Sequence, residues 1–465
     1  MRNIFIFIIA LTLFTSCSLE QNNQEEISGD DIINTDRKAL GVLAQAYSSL
    51  PVGGEPFTLL TEDLQPSYLI NNKPDYKLTY GWNDEQIKMA TGQLWKSYYE
   101  SLVHINSILN TEQYIKNKDE KWNYIKGNAL CLKAYIYFDL LQLYSERYNP
   151  SALGIITKDN ITLENNKRLT QEETITIIKT LLDQGIDLMK KYNKQYNYFI
   201  TSPAAINIKA QIYLYTKEYS KAEQTARELI SLFPTLPNTE KDYTAIWNIS
   251  LSETTTATYW IYNNLSNPNR YLYVEKDTGD YLFINHNNIF EKEDIRYNVS
   301  QYMYKMRSLE GGISSPTVLR PYLGKYKTQH TDHTEKNIVL SRNTETYFIL
   351  IESLIEQGKL NEATDYLNQF LTSINNTSVA DGLSQSILKS IVQKEKQKEF
   401  VGEKINYFDL KRWNLPIKRY FPDSNKVLLT IQNNDFRWTW PIPDSELRYN
   451  NNAIQNEGWP TFVNK

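Results

Sequence analysis

The strongest constraint on the fold of this chain is a helix–turn–helix plan that occurs twice. In residues 204–230, one helical pattern ends in a tight turn and Ala222 opens the next. Residues 347–371 repeat the plan, with Gly358 at the turn and Ala363 five positions later. Small residues let two helices pack closely, and the plan is typical of tetratricopeptide-like hairpins. The two stretches therefore predict a helical-repeat scaffold.

Further helical segments extend this scaffold. Residues 122–144 carry apolar side chains at the helical period and on other faces too, which is typical of a central helix in a bundle. Cys131 lies within that segment, so we expect it to be an inert buried thiol. The predicted fold is mainly α, with about four hairpins. The predicted pairs include 94–109 with 122–144 and 170–191 with 203–216.

Residues 394–414 predict another helix near the C-terminal end. Glu399 and Glu403 lie among lysines three or four positions away, which places opposite charges on one helical surface. No Gly-Pro turn interrupts the segment. Because Pro416 cannot continue a helix, we expect this one to end near Asn414.

A second ordered pattern follows at 438–459, which reads WTWPIPDSELRYNNNAIQNEGW. Together with the order Tyr-Phe-Asp-Leu-Lys-Arg-Trp at 407–413, it resembles the two C-terminal signatures of the SusD/RagB family. Weaker similarity reaches back to about Trp95. The chain departs from the family pattern, which has glycine, arginine or proline there, at Lys404, Asn406, Asn414, Asn451 and Glu457.

The resemblance implies a SusD-like architecture, in which helical repeats support a loop-rich lobe. Members of the family are nutrient-binding outer-membrane lipoproteins. The implied partner is a SusC-like TonB-dependent β-barrel transporter, on which the protein would sit as a lid without performing bond chemistry. In that family the ligand contacts come from loops and insertions and have no fixed motif.

The N-terminal segment predicts export and lipid anchoring. Residues 1–16 combine an early positive charge with an apolar run too short to span a bilayer, as in a signal peptide. The small residue before Cys17 resembles a bacterial lipoprotein box, so we expect acylation at Cys17. Residues 17–35 are polar and acidic, which favours a flexible tether to the outer membrane, on the cell surface.

The remaining chain, 36–465, is interpreted as a single SusD-like unit beginning with a helix at 36–50. Helical repeats cover about 94–232 and 344–414. The stretch 234–340 is rich in Pro, Asn, Thr and Tyr and predicts a loop-rich insertion. Short strands are expected there at 258–262 and 270–274, and the C-terminal signature at 438–459 follows.

Aromatic residues in the irregular segments are the candidates for ligand binding. A sugar ring has apolar C–H faces and polar edges, so its site needs an aromatic platform with polar partners around it. The chain has 34 Tyr against 16 Phe, and tyrosine suits such surfaces, although most tyrosines are expected to pack between helices. The candidates are Tyr68, Tyr76, Tyr80, Trp82, Trp260, Tyr262, Arg270, Tyr271 and Tyr273.

Several classes of chemistry lack support in the sequence. A net charge of −4 gives no reason to expect nucleic acid, and no glycine-rich phosphate loop or Gly-x-Ser-x-Gly motif occurs. His330 and His333 have no third ligand nearby, so no metal site and no cofactor are predicted. Asp409 and Arg412, three positions apart, are interpreted as an ion pair rather than catalytic groups.

We therefore favour a cell-surface nutrient-binding subunit of a TonB-dependent importer, with an oligosaccharide as its ligand and no enzymatic activity. A peptide-binding member of the same family is the first alternative. A helical-repeat envelope scaffold without a small ligand is the second. A surface glycosidase stays open as well, because the spatial separation of carboxylates does not follow from sequence.

Overall fold

The computed structural model describes residues 32–51, 55–162, 164–247, 258–262, 281–307, 317–326 and 338–461. Helices dominate these ranges, which confirms the mainly α prediction. The helices are α1 (Asp36–Ser48), α2 (Glu55–Leu60), α3 (Pro74–Tyr80), α4 (Asp84–Asn110), α5 (Glu120–Tyr144), α6 (Gln171–Met189), α7 (Ser202–Tyr215), α8 (Tyr219–Leu232), α9 (Glu240–Trp247), α10 (Arg296–Ser300), α11 (Asn343–Glu356), α12 (Leu360–Ser373), α13 (Gln385–Glu399), α14 (Ile405–Trp413) and α15 (Asp444–Tyr449).

Among the described residues, short strands pair in four antiparallel couples: β1 with β3, β2 with β6, β4 with β5, and β7 with β8. The predicted strand at 258–262 is confirmed, whereas 270–274 lies outside the described residues. The strands are β1 (Leu64–Pro66), β2 (Thr258–Tyr262), β3 (Leu282–Ile284), β4 (Gln301–Arg307), β5 (Thr317–Leu323), β6 (Ile338–Arg342), β7 (Ile417–Tyr420) and β8 (Val427–Ile431).

The two predicted helical hairpins share one turn geometry. After α7, the N–H of Glu218 donates to the carbonyl of Tyr213 at 2.8 Å, and Lys217 has a left-handed φ of 63°. After α11, Lys359 donates to Leu354 at 2.9 Å, and Gly358 has a φ of 74°. This helix-ending pattern needs a left-handed residue, which glycine supplies without strain. The predicted hairpins α7–α8 and α11–α12 are therefore confirmed.

The central helix α5 packs against α6 through glycines. A Cβ on Gly127 would lie 2.7 Å from the carbonyl oxygen of Gly185, and one on Gly185 would lie 2.5 Å from Sγ of Cys131. The close approach buries α5 on nearly all sides, as predicted. Burial raises the pKa of the Cys131 thiol, so the group stays protonated, in agreement with an inert role.

The segment 394–414 is not one helix, which corrects the prediction. Helix α13 ends at Glu399 and α14 begins at Ile405, and between them Gly402 adopts a φ of 78°. The turn directs Glu399 and Glu403 into the interior, where they are 0% and 5% exposed. The expected end of α14 at Asn414 is confirmed by its left-handed φ of 59°.

The described parts of the loop-rich insertion share a hydrophobic core with the second hairpin. Ile261, Phe290 and Ile295 are buried together with residues of α11 and α12. Within the described ranges, no helix combines the length and the apolar composition that crossing a bilayer requires.

We expect Gly185→Ala to lower the free energy of unfolding by about 1–3 kcal/mol, because the added methyl group overpacks the α5–α6 contact. The measurement is urea unfolding followed by circular dichroism. Gly41→Ala in α1 is the matched control, since nothing lies within 4 Å of a Cβ there. It should leave stability unchanged or raise it by up to about 1 kcal/mol. Equal effects of both substitutions would contradict the tight contact.

Candidate ligand-binding site

A cavity of about 530 Å³ lies where the segment 66–85 meets the β7–β8 hairpin. We call it the Trp82 cavity. Its volume lies within the usual range of small-molecule sites, roughly 300–1000 Å³. It is lined by Pro66, Ile70, Lys77, Leu78, Tyr80, Gly81, Trp82, Asn83, Asp84, Glu85, Tyr420, Pro422, Leu428 and Arg437.

The buried lining of this cavity is apolar or aromatic, and its exposed lining combines charged, amide and apolar side chains. Ile70, Tyr80 and Tyr420 are at most 4% exposed. Leu428 is 48% exposed and Lys77 is exposed as well. An apolar floor with polar groups at the rim suits a ligand that has both apolar faces and hydroxyl edges.

The turn between α3 and α4 shapes one wall. The N–H of Trp82 donates to the carbonyl of Thr79, and that of Asn83 donates to Leu78, both at 2.9 Å. This pattern ends α3 and places Trp82 in a left-handed conformation with a φ of 54°. A bulky residue there is strained by about 1–3 kcal/mol and persists only where its surroundings hold it.

The surroundings of Trp82 supply that support. Its indole Nε1 donates to the carbonyl of Leu60 at 3.2 Å, and its ring lies edge-on to Trp438 at 4.8 Å. The next residue, Asn83, caps α4 by accepting from the N–H groups of Glu85 and Gln86. The strained wall is therefore held by contacts from two distant parts of the chain.

Arg437 fixes a positive charge at the same wall. Its Nη1 donates to the carbonyl oxygen of Trp82 at 2.6 Å. Its Nε and Nη2 donate to the two carboxylate oxygens of Asp435 at 2.8 and 2.7 Å. These hydrogen bonds raise the pKa of Arg437, so the guanidinium is charged at any physiological pH.

A buried arginine supports the floor. Arg419 lies over the Tyr80 ring at 4.5 Å and donates to the carbonyls of Leu59, at 3.2 Å, and Thr61. The Tyr80 hydroxyl accepts from the N–H of Tyr420 at 3.1 Å. Burial raises the pKa of Tyr80, so the floor remains uncharged there.

The structure places the predicted ligand residues in several environments. Tyr68 is 51% exposed, and its N–H donates to Oδ2 of Asp423 at 2.7 Å. Tyr76 is half-buried and packs against the hydrophobic core that includes residues of α11 and α12. Tyr80 and Trp82 line the cavity. The candidates outside the described residues are Arg270, Tyr271, Tyr273 and the lipidation residue Cys17.

The rings of Trp82 and Trp260 are buried, because both residues are 0% exposed, and their assignment as ligand-binding residues stays a prediction. Trp260 lies edge-on to Tyr135 at 4.7 Å and to Tyr47 at 6.0 Å. Tyr262, on the same strand, is only 8% exposed. In the conformation described, a sugar ring cannot stack on the faces of these residues. Trp82 contributes to the cavity through the wall that it holds in place.

Sequence reasoning missed the second half of the cavity, which comes from 420–437. The signal was present: Pro422, Asp423, Ser424 and Asn425 separate two apolar runs, and such a cluster predicts a hairpin. Strands β7 and β8 pair there, with Ile417 opposite Ile431.

A smaller interior cavity of about 60 Å³ lies between α5, α7, α11 and α14 and is lined by charged groups. Nη2 of Arg412 lies 2.6 Å from Oδ1 of Asp409 and 2.7 Å from Oε2 of Glu352. The predicted ion pair is therefore present, with Asp409 buried and Arg412 partly buried. Lys396 also approaches Asp409 at 2.7 Å. This cavity is too small for a sugar ring.

Across the described part of the chain, no group of three or more His, Cys, Asp or Glu side chains could hold a metal ion. His330 and His333 lie outside that part.

Comparisons with known proteins agree with this architecture. A family model described as "SusD family" matches residues 188–459, and one described as "Starch-binding associating with outer membrane" matches residues 22–214. The chain belongs to the SusD family. A search of curated proteins finds no match.

Several solved structures share the fold, among them members of the SusD superfamily. One from Bacteroides thetaiotaomicron is 21% identical, with a TM-score of 0.74 and coverage of 91% of this chain and 99% of the other. A SusD-like carbohydrate-binding protein from Bacteroides vulgatus is 18% identical (TM-score 0.75; 90% and 98% covered). Surface glycan-binding protein A from Bacteroides fluxus is 16% identical (TM-score 0.68; 91% and 99% covered).

Glu345, at the interior cavity, yields a pH prediction. Burial raises its pKa from 4.5 to about 7. The stability that it contributes is therefore complete below about pH 4.5 and is lost as the pH rises through 7. We compare the free energies of unfolding of Glu345→Gln and wild type, as measured by urea unfolding. The value for the variant minus that for wild type should rise by roughly 1–3 kcal/mol as the pH is raised from 5 to 8.

Glu352→Gln is the contrasting variant. Burial alone would raise the pKa of Glu352, but Arg412 and Lys396 outweigh it and lower the pKa to about 2. Its contribution is lost only as the pH falls toward 2, so this variant should be destabilised by a constant amount between pH 5 and pH 8. Parallel pH profiles for wild type and Glu345→Gln would contradict the raised pKa.

Proposed function

We propose that this chain is a cell-surface subunit that captures an oligosaccharide and passes it to a TonB-dependent outer-membrane transporter. The Trp82 cavity carries the proposal, because its aromatic floor and charged rim suit the C–H faces and hydroxyl edges of sugars. Membership of the SusD family supports it. So do relatives of the same fold that are a carbohydrate-binding and a glycan-binding protein.

The proposed location is the outer membrane. Acylation of Cys17 would bury lipid chains in the bilayer and anchor the protein without a spanning helix. The family model that matches residues 22–214 is described as associating with the outer membrane, which supports this location. Residues 17–35 would act as a tether that lets the folded body close on a SusC-like β-barrel and open from it again.

Binding without bond chemistry fits the lining of the cavity. The lining residues, all within the described ranges, include no Ser, Cys or His that could act as an activated nucleophile or its base. Two carboxylates, Asp84 and Glu85, are neighbours at the start of α4. Neighbours on a helix point in different directions, whereas a glycosidase needs two carboxyl groups that face one bond.

A peptide is the alternative ligand, and the mixed charge of the rim is the observation that favours it. Lys77 and Glu85 are both exposed at the cavity and could pair with the two charged ends of a short peptide. Isothermal titration with oligosaccharides and with peptides, each against the same protein, separates the two ligand classes. A scaffold without a small ligand would bind neither.

We expect Leu428→Ser to weaken oligosaccharide binding about five- to thirty-fold, because an exposed apolar contact worth about 1–2 kcal/mol is lost. Val427→Ser is the matched control: Val427 is 43% exposed on the same strand but does not line the cavity. The affinity of each variant is measured by titration calorimetry. Equal affinities of the Leu428→Ser and Val427→Ser variants would show that the oligosaccharide does not bind in the cavity.

We also expect Cys17→Ala to move the protein from the membrane fraction to the soluble fraction and to abolish labelling by palmitate. The native protein, extracted in mild detergent, should co-purify with a large β-barrel transporter in stoichiometric amount. Recovery of soluble envelope proteins without a barrel would contradict the importer and favour the scaffold.

A further inference from the structure

The loop between α6 and α7 carries two exposed tyrosines that the Trp82 cavity does not use. Tyr196 is 54% exposed and Tyr198 is 41% exposed. Their rings stack nearly parallel, with centroids 5.3 Å apart and planes 11° apart. Single exposed aromatic residues are ordinary on protein surfaces, but a stacked pair concentrates aromatic area at one point.

The exposed pair is the outer end of a series of ring contacts that begins in the core. Tyr198 contacts Phe199 at 5.3 Å, and Phe199 contacts Tyr47 at 5.0 Å. Tyr47 contacts Trp260 at 6.0 Å, and Trp260 contacts Tyr135 of α5 at 4.7 Å. The pair is thus supported from beneath by buried rings.

Hydrogen bonds hold the loop in this conformation. Gln195 Nε2 donates to the carbonyls of Met189 and Tyr192, both at 3.0 Å, and its Oε1 accepts from the N–H of Ser202 at 2.7 Å. The carbonyl of Asn197 accepts from the N–H of Ile261 on β2 at 2.8 Å. A preformed surface loses little conformational entropy when it binds a ligand.

One buried hydroxyl close to the pair lacks a hydrogen-bond partner within the described ranges. Tyr124 is 5% exposed, and its hydroxyl has no hydrogen-bond partner among the described residues. Its ring stacks on Tyr192 at 4.6 Å. Burial raises the pKa of Tyr124, and the nearby hydroxyls of Tyr192, Tyr198 and Tyr196 raise it further. The group is therefore a neutral donor and acceptor beside the tyrosine pair.

We propose that Tyr196 and Tyr198 form a second carbohydrate-binding surface, on which a sugar ring of a polysaccharide chain stacks. The aromatic faces match the C–H face of the ring, and the exposed amide of Asn193 and ammonium of Lys194 can bind its hydroxyl groups. This surface shares no residue with the Trp82 cavity. The ligand class rests on the proposed function.

A second site changes how a polymer binds. For a polysaccharide long enough to span both sites, binding of one part in the cavity makes binding of a second part at the tyrosine pair an intramolecular event at high effective concentration. The tyrosine pair should therefore matter more for long polysaccharides than for short oligosaccharides, which engage one site at a time.

The test uses native gels that contain soluble starch, xylan, galactomannan, arabinan, levan or yeast mannan, with the full lipid-free chain as the mobile protein. In gels with a polysaccharide that retards wild type, the double variant Tyr196→Ala/Tyr198→Ala should be retarded less. We expect its apparent dissociation constant to be at least five-fold higher than that of wild type. Tyr114→Ala is the matched control, because Tyr114 is 48% exposed and lies elsewhere, in the short helix after α4. Circular dichroism checks that each variant is folded.

The outcomes separate the two proposals. Retardation of the double variant equal to wild type, while Leu428→Ser is weakened, overturns the tyrosine surface alone. No retardation of wild type by any of the six polysaccharides contradicts the proposed function and this surface with it. The double variant could also be retarded like wild type but no longer co-purify with a transporter. In that case the tyrosine pair contacts a protein, and the proposal is overturned.

Discussion

The interaction on which the rest of the structure depends is a buried network of charges at the turn between α13 and α14. Arg342 Nη1 lies 2.5 Å from Oε1 of Glu399, and its Nη2 lies 3.1 Å from Oε1 of Glu403. Lys325 approaches Glu403 at 2.6 Å, and Arg296 approaches Glu399 at 3.3 Å. Burial alone would raise the pKa of Glu399, but Arg342 and Arg296 outweigh it and lower the pKa. Removal of one partner from such a pair typically costs about 3–5 kcal/mol.

This network joins the loop-rich lobe to the helical scaffold and also positions the Trp82 cavity. All three cations come from the lobe or its end, whereas Glu399 is the last residue of α13 and Glu403 lies in the turn before α14. The turn that buries the glutamates also presents the N–H of Gly402 to Asp63 at 2.9 Å, and Asn406 donates to the same carboxylate at 2.8 Å. Asp63 immediately precedes β1, whose last residue, Pro66, lines the cavity. The wall of the cavity is therefore held by the same turn that closes the charge network.

The helical hairpins could be predicted from sequence because their pattern is local: apolar periodicity, a turn and a small residue lie within one stretch. The turn at Gly402 could not, because its glutamates and lysines have the spacing of an exposed helix and their partners, such as Arg342, lie far away in sequence. Only one of the two segments that line the cavity was predicted, for a similar reason. Residues 66–85 have an aromatic and polar composition that suggests binding, whereas Leu428 and Arg437 become lining residues only through tertiary packing.

Composition also explains why sequence alone does not show which aromatic residues are buried. Tyrosine here often serves the core by linking helices through its hydroxyl: Tyr98 donates to Asp139 at 2.8 Å, and Tyr144 donates to the carbonyl of Thr91 at 2.6 Å. Such bonds fix how α4 and α5 pack against each other, which apolar contact alone does not specify. A tyrosine that links helices and one that faces a ligand look alike in sequence. Exposure distinguishes them, and by that criterion Tyr196 belongs to the surface while Trp82 and Trp260 belong to the interior.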